Sequence, residues 1–152
     1  FGGTGDLARR KILPGLFKRF ADGQIPEGSR IIGAARTEMD APGFRDFVKE
    51  AIETFHSGKP KAAKLKEFLE ILDYVTIDAL GETGWPELAS KMRDDAVRAF
   101  YFSVGPSIFD DLAERLRKHN LVNPSTRIVV EKPFGHDLET AKALNKALFA
   151  HF

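Results

Sequence analysis

Three stretches of this 152-residue chain carry residues whose types and spacing could bind or move charge. The first is at its start. Gly3-Thr4-Gly5-Asp6-Leu7-Ala8 matches G-x-G-x-x-G/A, and Gly2, Gly5 and Ala8 match a shifted G-x-x-G-x-x-A frame. Glycines at these positions let a backbone turn tightly and approach a pyrophosphate. A helix directly behind them aims free N–H groups and the positive end of its dipole at the phosphates. A plain Gly-rich loop at a chain end is the competing reading. The second is Arg36, at the end of an apolar run, Ile31 to Ala35. After the second strand of a dinucleotide fold an acid binds ribose hydroxyls, whereas an Arg accommodates a 2′-phosphate. The spacing from the glycines exceeds the usual ~20 residues, and a long first helix and a connector around Pro26 absorb the excess. A surface Arg in a turn is the alternative. The third is a set of strand ends, where open parallel sheets bind ligands: Asp78-Ala79 after Ile77, Gly105-Pro106 after Val104, and Lys132-Pro133 after Val130-Glu131. Lys132 is placed to bind an anionic substrate or orient a reacting hydroxyl, or else to pair with Glu131 or Asp137.

Other chemistries lack their residues. Without cysteine there is no thiol catalysis, disulfide framework or Cys-ligated metal. His56, His119, His136 and His151 show no metal spacing, and neither G-x-x-x-x-G-K-[ST] nor G-x-S-x-G occurs. A net charge of +1 argues against a nucleic-acid partner. No apolar run reaches the ~18 residues of a membrane span, so no membrane partner is expected. The cysteine count is compatible with a reducing, cytoplasmic compartment.

The elements that must position these residues follow from periodicity. Helices are predicted over 6–21, 44–56, 61–70, 85–94, 106–118 and 137–152, and strands over 30–35, 72–77, 97–104 and 127–130. Pro14 is a complication inside the first helix. Strands alternating with helices imply βαβ units, hence an α/β, doubly wound, mostly parallel sheet with helices on both faces. The opening helix has no strand feeding it. The first strand is therefore expected to be largely missing, with Phe1 its last residue, and residues 1–152 to be one incomplete Rossmann-like domain.

Four motifs, in order, resemble glucose-6-phosphate dehydrogenases. They are Gly2-Gly3-Thr4-Gly5-Asp6-Leu7-Ala8-Arg9-Arg10-Lys11 with Leu13-Pro14, Ile31-Ile32-Gly33-Ala34-Ala35-Arg36, Phe100 to Phe109, and Val129-Val130-Glu131-Lys132-Pro133-Phe134-Gly135-His136-Asp137-Leu138-Glu139. The resemblance spans the whole chain and accounts for Pro14. It implies oxidation of glucose 6-phosphate to 6-phosphoglucono-lactone, with NADP as cofactor, in a cytoplasmic homo-oligomer of the pentose phosphate pathway. It assigns the cofactor to Gly2, Gly3, Thr4, Gly5, Asp6, Leu7, Arg36, Asp78, Ala79, Gly105 and Lys132, and the substrate to Lys132. The family often has two prolines where Gly105-Pro106 stands and Tyr where Phe109 stands.

The resemblance places the family's histidine base in an R-I-D-H-Y-L-G-K-E segment, which would follow His151-Phe152. No catalytic base is expected among the 152 residues, and the isolated polypeptide is expected to be inactive. Two other readings stay open. One is an extended short-chain NADP enzyme, which needs Tyr-x-x-x-Lys, whereas Tyr74 and Tyr101 are followed four residues on by Asp78 and Gly105. The other is a non-catalytic dinucleotide-binding module.

Overall fold

Glycine and alanine in the middle of an otherwise branched strand mark where other chain segments come close. That strand is β1, Ile31–Ala35, and it pairs in parallel with β2, Leu72–Thr76, in the register Ile31↔Leu72 to Ala35↔Thr76. A computed structural model describes residues 1–56, 58–93, 97–103, 106–123 and 125–130 of the chain. They fall into two compact units, one of Gly2–Thr76 and one of Phe1 with the residues from Ile77 onward.

The first unit holds β1, β2 and three helices: α1 (Leu13–Ala21), α2 (Ala41–Phe55) and α3 (Ala62–Glu70). Buried residues on α2 recur at helical spacing, Phe44, Val48, Ala51 and Ile52. Phe44, Val48 and Ile52 meet Leu13 and Phe17 of α1, Phe68 of α3, and Leu72 and Tyr74 of β2 in one core. Full burial of each large apolar side chain contributes about 1.5–3 kcal/mol. Ring contacts orient the packing: Phe17 lies edge-on to Phe68 at 5.6 Å, and Phe44 packs against Tyr74 at 5.1 Å. Arg45 of α2 fastens the α3–β2 junction, donating from Nε to Leu69 O and from Nη2 to Leu72 O, both at 3.1 Å.

Pro14 shows its effect in this unit. Residues Ala8–Ile12 form a π-helical turn before α1, with Leu13 N–H donating to Ala8 O five residues back. Pro14 lies in the first turn of α1, directly behind the π turn, and Ile12 at the junction keeps right-handed helical angles, φ −70° and ψ −51°. The predicted 6–21 helix is thus continuous but contains a π turn next to its proline. Helix α2 starts three residues before its predicted start. Asp40 caps it, its Oδ1 accepting the Gly43 N–H at 2.7 Å, and Pro42 sits in the first turn. Pro42-Gly43 reads as a turn in sequence but is a helix entry here.

In the second unit β3 (Ala99–Phe102) pairs in parallel with β4 (Arg127–Val130). Phe1 makes both bonds of a parallel bridge to β3: its nitrogen donates to Tyr101 O at 2.8 Å and its carbonyl accepts from Ser103 N at 3.0 Å. Its ring packs beside Trp85 and Phe102. α4 is Trp85–Ser90, four residues shorter than predicted. Its end is tightened by bonds three residues back, from Lys91 N to Leu88 O and from Met92 N to Ala89 O. β3 is also shorter than predicted, because the ladder begins only at the bond from Arg127 N to Arg98 O, and Val97 is exposed. A 3₁₀ turn over Pro106–Ile108 leads into α5, Phe109–Lys118, which buries Phe109, Leu112, Ala113 and Leu116. It ends at left-handed Asn120, with Asn120 N bonded to Arg117 O and Leu121 N to Leu116 O. The helix predicted over 137–152 lies outside the described residues.

Gly33 is the tightest position on β1. A Cβ there would lie 2.4 Å from Cζ of Phe44, which is fully buried. Gly33→Ala is expected to destabilise the protein by about 1–3 kcal/mol, read as a lower urea midpoint at unchanged slope. Phe44→Leu in the same chain should recover part of that loss. A wild-type midpoint in Gly33→Ala would show that the Phe44 ring moves freely.

Candidate functional site

The first unit gathers the opening loop and the end of β1. Gly2 has φ +76°, a left-handed conformation. The Gly2 and Gly3 N–H groups both donate to Ala34 O, at 2.8 and 3.2 Å. A Cβ on Gly3 would sit 3.2 Å from Gly33 Cα and 3.3 Å from Ala34 N, so the loop lies backbone against backbone on the strand. Gly5 N donates to Gly2 O at 2.9 Å and closes the turn, and Arg9 N donates to Gly5 O at 3.0 Å as the helix begins. N–H groups in a helix's first turn have no carbonyl partner within it, and they carry the positive end of its dipole. This is the cradle that a phosphate needs: a backbone with no side chain in the way, followed by outward N–H donors.

Asp6 lies in that first turn, where its Oδ1 accepts from Arg10 Nε at 2.8 Å. Leu7 is half-buried and Ala8 fully buried. The guanidinium groups of Arg9 and Arg10 lie 5.0 and 5.4 Å from the Phe55 ring, and Arg9 also approaches Glu50. Their charge is directed to α2.

Arg36 follows the last residue of β1. It is exposed, with no hydrogen bond or ion pair among the described residues. Its neighbour Thr37 joins the loop through a 3.0 Å bond between the Thr37 and Thr4 hydroxyls. Beneath the turn, the Tyr74 hydroxyl lies 2.6 Å from Thr37 O and 3.2 Å from Ala35 O, and the Thr76 hydroxyl donates to Thr37 O at 3.3 Å. Burial pushes the Tyr74 phenol above its usual range, so it remains a proton donor. The structure therefore brings together Gly2, Gly3, Thr4, Gly5, Asp6, Leu7 and Arg36. It adds Thr37, Tyr74 and Thr76, which sequence reasoning gave no role. Only the adjacency of Thr37 to Arg36 hinted at any of them.

Asp78 and Ala79 belong to the second unit. Asp78 Oδ1 accepts from Leu80 N at 3.0 Å, and Asp78 O accepts from Trp85 Nε1 at 3.0 Å and Gly81 N at 3.2 Å. This is an Asx turn anchored on a buried indole. Arg115 holds the same loop by donating to Leu80 O and Gly81 O. Asp78 is thus fixed by its own loop, and Ala79 beside it offers only backbone polar groups. Gly105 and Lys132 lie outside the described residues. Among the described residues there is no His, Asp and Glu group able to hold a metal, and no helix long and apolar enough to cross a membrane. A groove beside Arg45, Lys49, Pro60, Leu65 and Leu69 shares no residue with the glycine loop.

Comparison with known proteins agrees with this arrangement. The family profile described as Glucose-6-phosphate dehydrogenase, NAD binding domain, matches residues 1–152. Glucose-6-phosphate 1-dehydrogenase of Rhizobium meliloti is 46% identical over 97% of this chain and 31% of its own length. That of Gluconobacter oxydans is 41% identical over 100% of this chain and 32% of its own. The crystal structure of the Mycobacterium avium enzyme superposes with a TM-score of 0.88 at 33% identity, covering 99% of this chain and 32% of that one. A glucose-6-phosphate dehydrogenase in complex with its substrate glucose 6-phosphate gives 0.83 at 34%, over 100% of this chain and 33% of that one. The chain spans about a third of the length of the curated relatives it matches. Parallel α/β pairing, a glycine cradle on β1 and a profile match from first residue to last lead to one conclusion: the chain belongs to the nicotinamide-dinucleotide-binding domain family of the glucose-6-phosphate dehydrogenases.

Proposed function

We propose that this chain is the coenzyme-binding part of an enzyme that oxidises glucose 6-phosphate to 6-phosphoglucono-lactone with NADP. The observation that carries the choice of coenzyme is Arg36, exposed and unpaired among the described residues, one residue from the Thr37–Thr4 bond to the glycine loop. A guanidinium presents a planar fork of donors that matches a phosphate, and a ribose without a 2′-phosphate gives it nothing to bind. Two features support a fit to the coenzyme: Gly3 packs backbone against backbone on β1, as the tight turn of the motif requires, and the helix start behind it carries N–H groups with no carbonyl partner within the helix.

The loop of Gly2, Gly3, Thr4, Gly5, Asp6 and Leu7 would hold the pyrophosphate, the three glycines by shaping the turn with N–H groups already bonded inside the protein and Thr4, Asp6 and Leu7 through their backbone donors, and Arg36 would hold the 2′-phosphate. Asp78 and Ala79 would line the adenosine side, and Gly105 would let the backbone run close to the flat ligand. When bound, the nicotinamide supplies the hydride acceptor for C1 of the sugar. Lys132 would bind between coenzyme and sugar, and its role rests on the likeness of Glu131-Lys132-Pro133-Phe134-Gly135 to the family's motif. Holding the two reactants in register lowers the barrier by positioning. The same reading carries a cytoplasmic homo-oligomer acting in the pentose phosphate pathway. The short-chain alternative loses its acid, because the Tyr74 phenol is committed to backbone carbonyls.

The full-length protein is expected to reduce NADP when given glucose 6-phosphate, followed by the absorbance of the reduced nicotinamide. No reduction by pure, folded protein would refute the proposed reaction. Arg36→Ala is expected to weaken NADP binding about tenfold or more, since hydrogen bonds to charged groups contribute about 1.5–3 kcal/mol. NAD binding should be unchanged. Equal NADP affinity in wild type and variant would remove Arg36 from the site. Lys132→Ala should lower kcat/KM for glucose 6-phosphate at least about tenfold with little change in melting temperature. A change confined to melting temperature would make Lys132 a structural ion-pair partner.

A further inference from the structure

The Arg36 turn is held from inside the first unit by a phenol with no part in the reading above. Tyr74 stands on β2 opposite Gly33 of β1, 4% exposed, with its ring against Phe44. Its hydroxyl reaches the end of β1. It lies 2.6 Å from Thr37 O and 3.2 Å from Ala35 O, the carbonyls on either side of Arg36. A phenol has one proton. It goes chiefly to Thr37 O, and Ala35 O takes the weaker share. The Thr76 hydroxyl is a second donor to Thr37 O, and it accepts from Met39 N at 3.4 Å.

These bonds fix more than a turn. Two carbonyl dipoles are drawn inward, away from the surface on which the Arg36 side chain stands. Arg36 has no partner among the described residues, so the orientation of its backbone sets where its guanidinium can reach. Without the phenol, Thr37 O loses its shorter bond, and the Ala35–Arg36 and Thr37–Glu38 peptides are freer to turn a partial negative charge outward. That would disfavour a 2′-phosphate dianion and leave a 2′-hydroxyl almost unaffected.

We propose that Tyr74 is a specificity-determining positioning residue: by bonding the carbonyls on both sides of Arg36, it holds that arginine for a 2′-phosphate and so sets the preference for NADP over NAD. The inference rests on the NADP reading of Arg36. The ring fills the core and the hydroxyl positions the turn, so Tyr74→Phe separates the two roles.

The test is nucleotide titration of the full-length protein as wild type, Tyr74→Phe, Arg36→Ala and the double variant, with Kd measured for NADP and for NAD. Tyr74→Phe is expected to raise Kd for NADP about three- to tenfold, the equivalent of one net hydrogen bond. Kd for NAD and kcat at saturating NADP should stay within about twofold, well below that change. In the Arg36→Ala background, adding Tyr74→Phe should have no further effect on NADP. An unchanged NADP preference in Tyr74→Phe, an equal loss for both coenzymes, or the same loss in both backgrounds overturns the proposal and leaves Tyr74 a packing residue. Wild type binding both coenzymes equally would instead refute the NADP reading, and this inference with it. If Tyr74→Phe does not fold, Thr76→Val removes the other donor to Thr37 O. It is expected to lower the NADP preference about twofold, the low end for one hydrogen bond, and an unchanged preference again overturns the proposal.

Discussion

The first unit depends on there being no side chain at Gly33. Phe44 uses that space, and the opening loop reaches the same strand residue because Gly3 also lacks a side chain. The Phe44 ring occupies the position a Cβ would take, 2.4 Å from Cζ, and the opening loop comes down on the strand until a Cβ on Gly3 would lie 3.2 Å from Gly33 Cα. Protein interiors are close-packed, so a methyl group at such a point cannot be absorbed by slack. Phe44 seated there packs against Tyr74 at 5.1 Å, and Tyr74 reaches the turn that carries Arg36. On the loop side, Gly2 and Gly3 gain their two bonds to Ala34 O. Two missing side chains, at Gly33 and at Gly3, thus let the core and the glycine loop form on the same strand, and they tie their positions together.

Several cations of the described residues build the fold. Arg45 and Arg115 satisfy carbonyls at the ends of helices and loops, and Arg98 donates to Leu121 O at 3.0 Å. Arg9 and Arg10 lie over Phe55. Such groups keep the backbone satisfied where the chain leaves regular structure. Arg36 makes none of these contacts, yet its backbone is among the more firmly held, with hydroxyl donors on the carbonyls to either side. An exposed charge on a backbone held from within suits an anion-binding group, because the fold sets its placement.

Much of this was legible in the sequence, and the limits have physical causes. Periodicity located all four strands and the helices on the described residues, because their buried faces recur at fixed intervals. It placed α2 three residues late because Pro42-Gly43 is ambiguous: the pair breaks structure in isolation but begins a helix when Asp40 caps it. It overran α4 and β3 because side-chain pattern does not show where a backbone ladder loses its partner, as it does before Arg98. The glycine loop and Arg36 were legible because their residue types are forced by close approach and by charge. Tyr74 and Thr76 were not. On a strand an inward Tyr or Thr reads as core, and nothing in a linear sequence shows that its hydroxyl meets a carbonyl 37 residues away.

The last position of the glycine motif and the proline after it belong to one arrangement. Ala8, where the pattern allows Gly or Ala, is 2% exposed, so a larger side chain would push the helix start away from the core. Its carbonyl accepts the Leu13 N–H across a π turn. Pro14 comes next, with no N–H of its own, and in a regular helix its ring would press on the carbonyl four residues back. Widening the preceding turn relieves that pressure while leaving the helix continuous. Continuity matters because the dipole at the glycine loop is summed from peptides along the helix, with its effect concentrated in the first turn. The π turn lets the chain keep a proline close behind the glycine loop and still present an unbroken helix N-terminus to it.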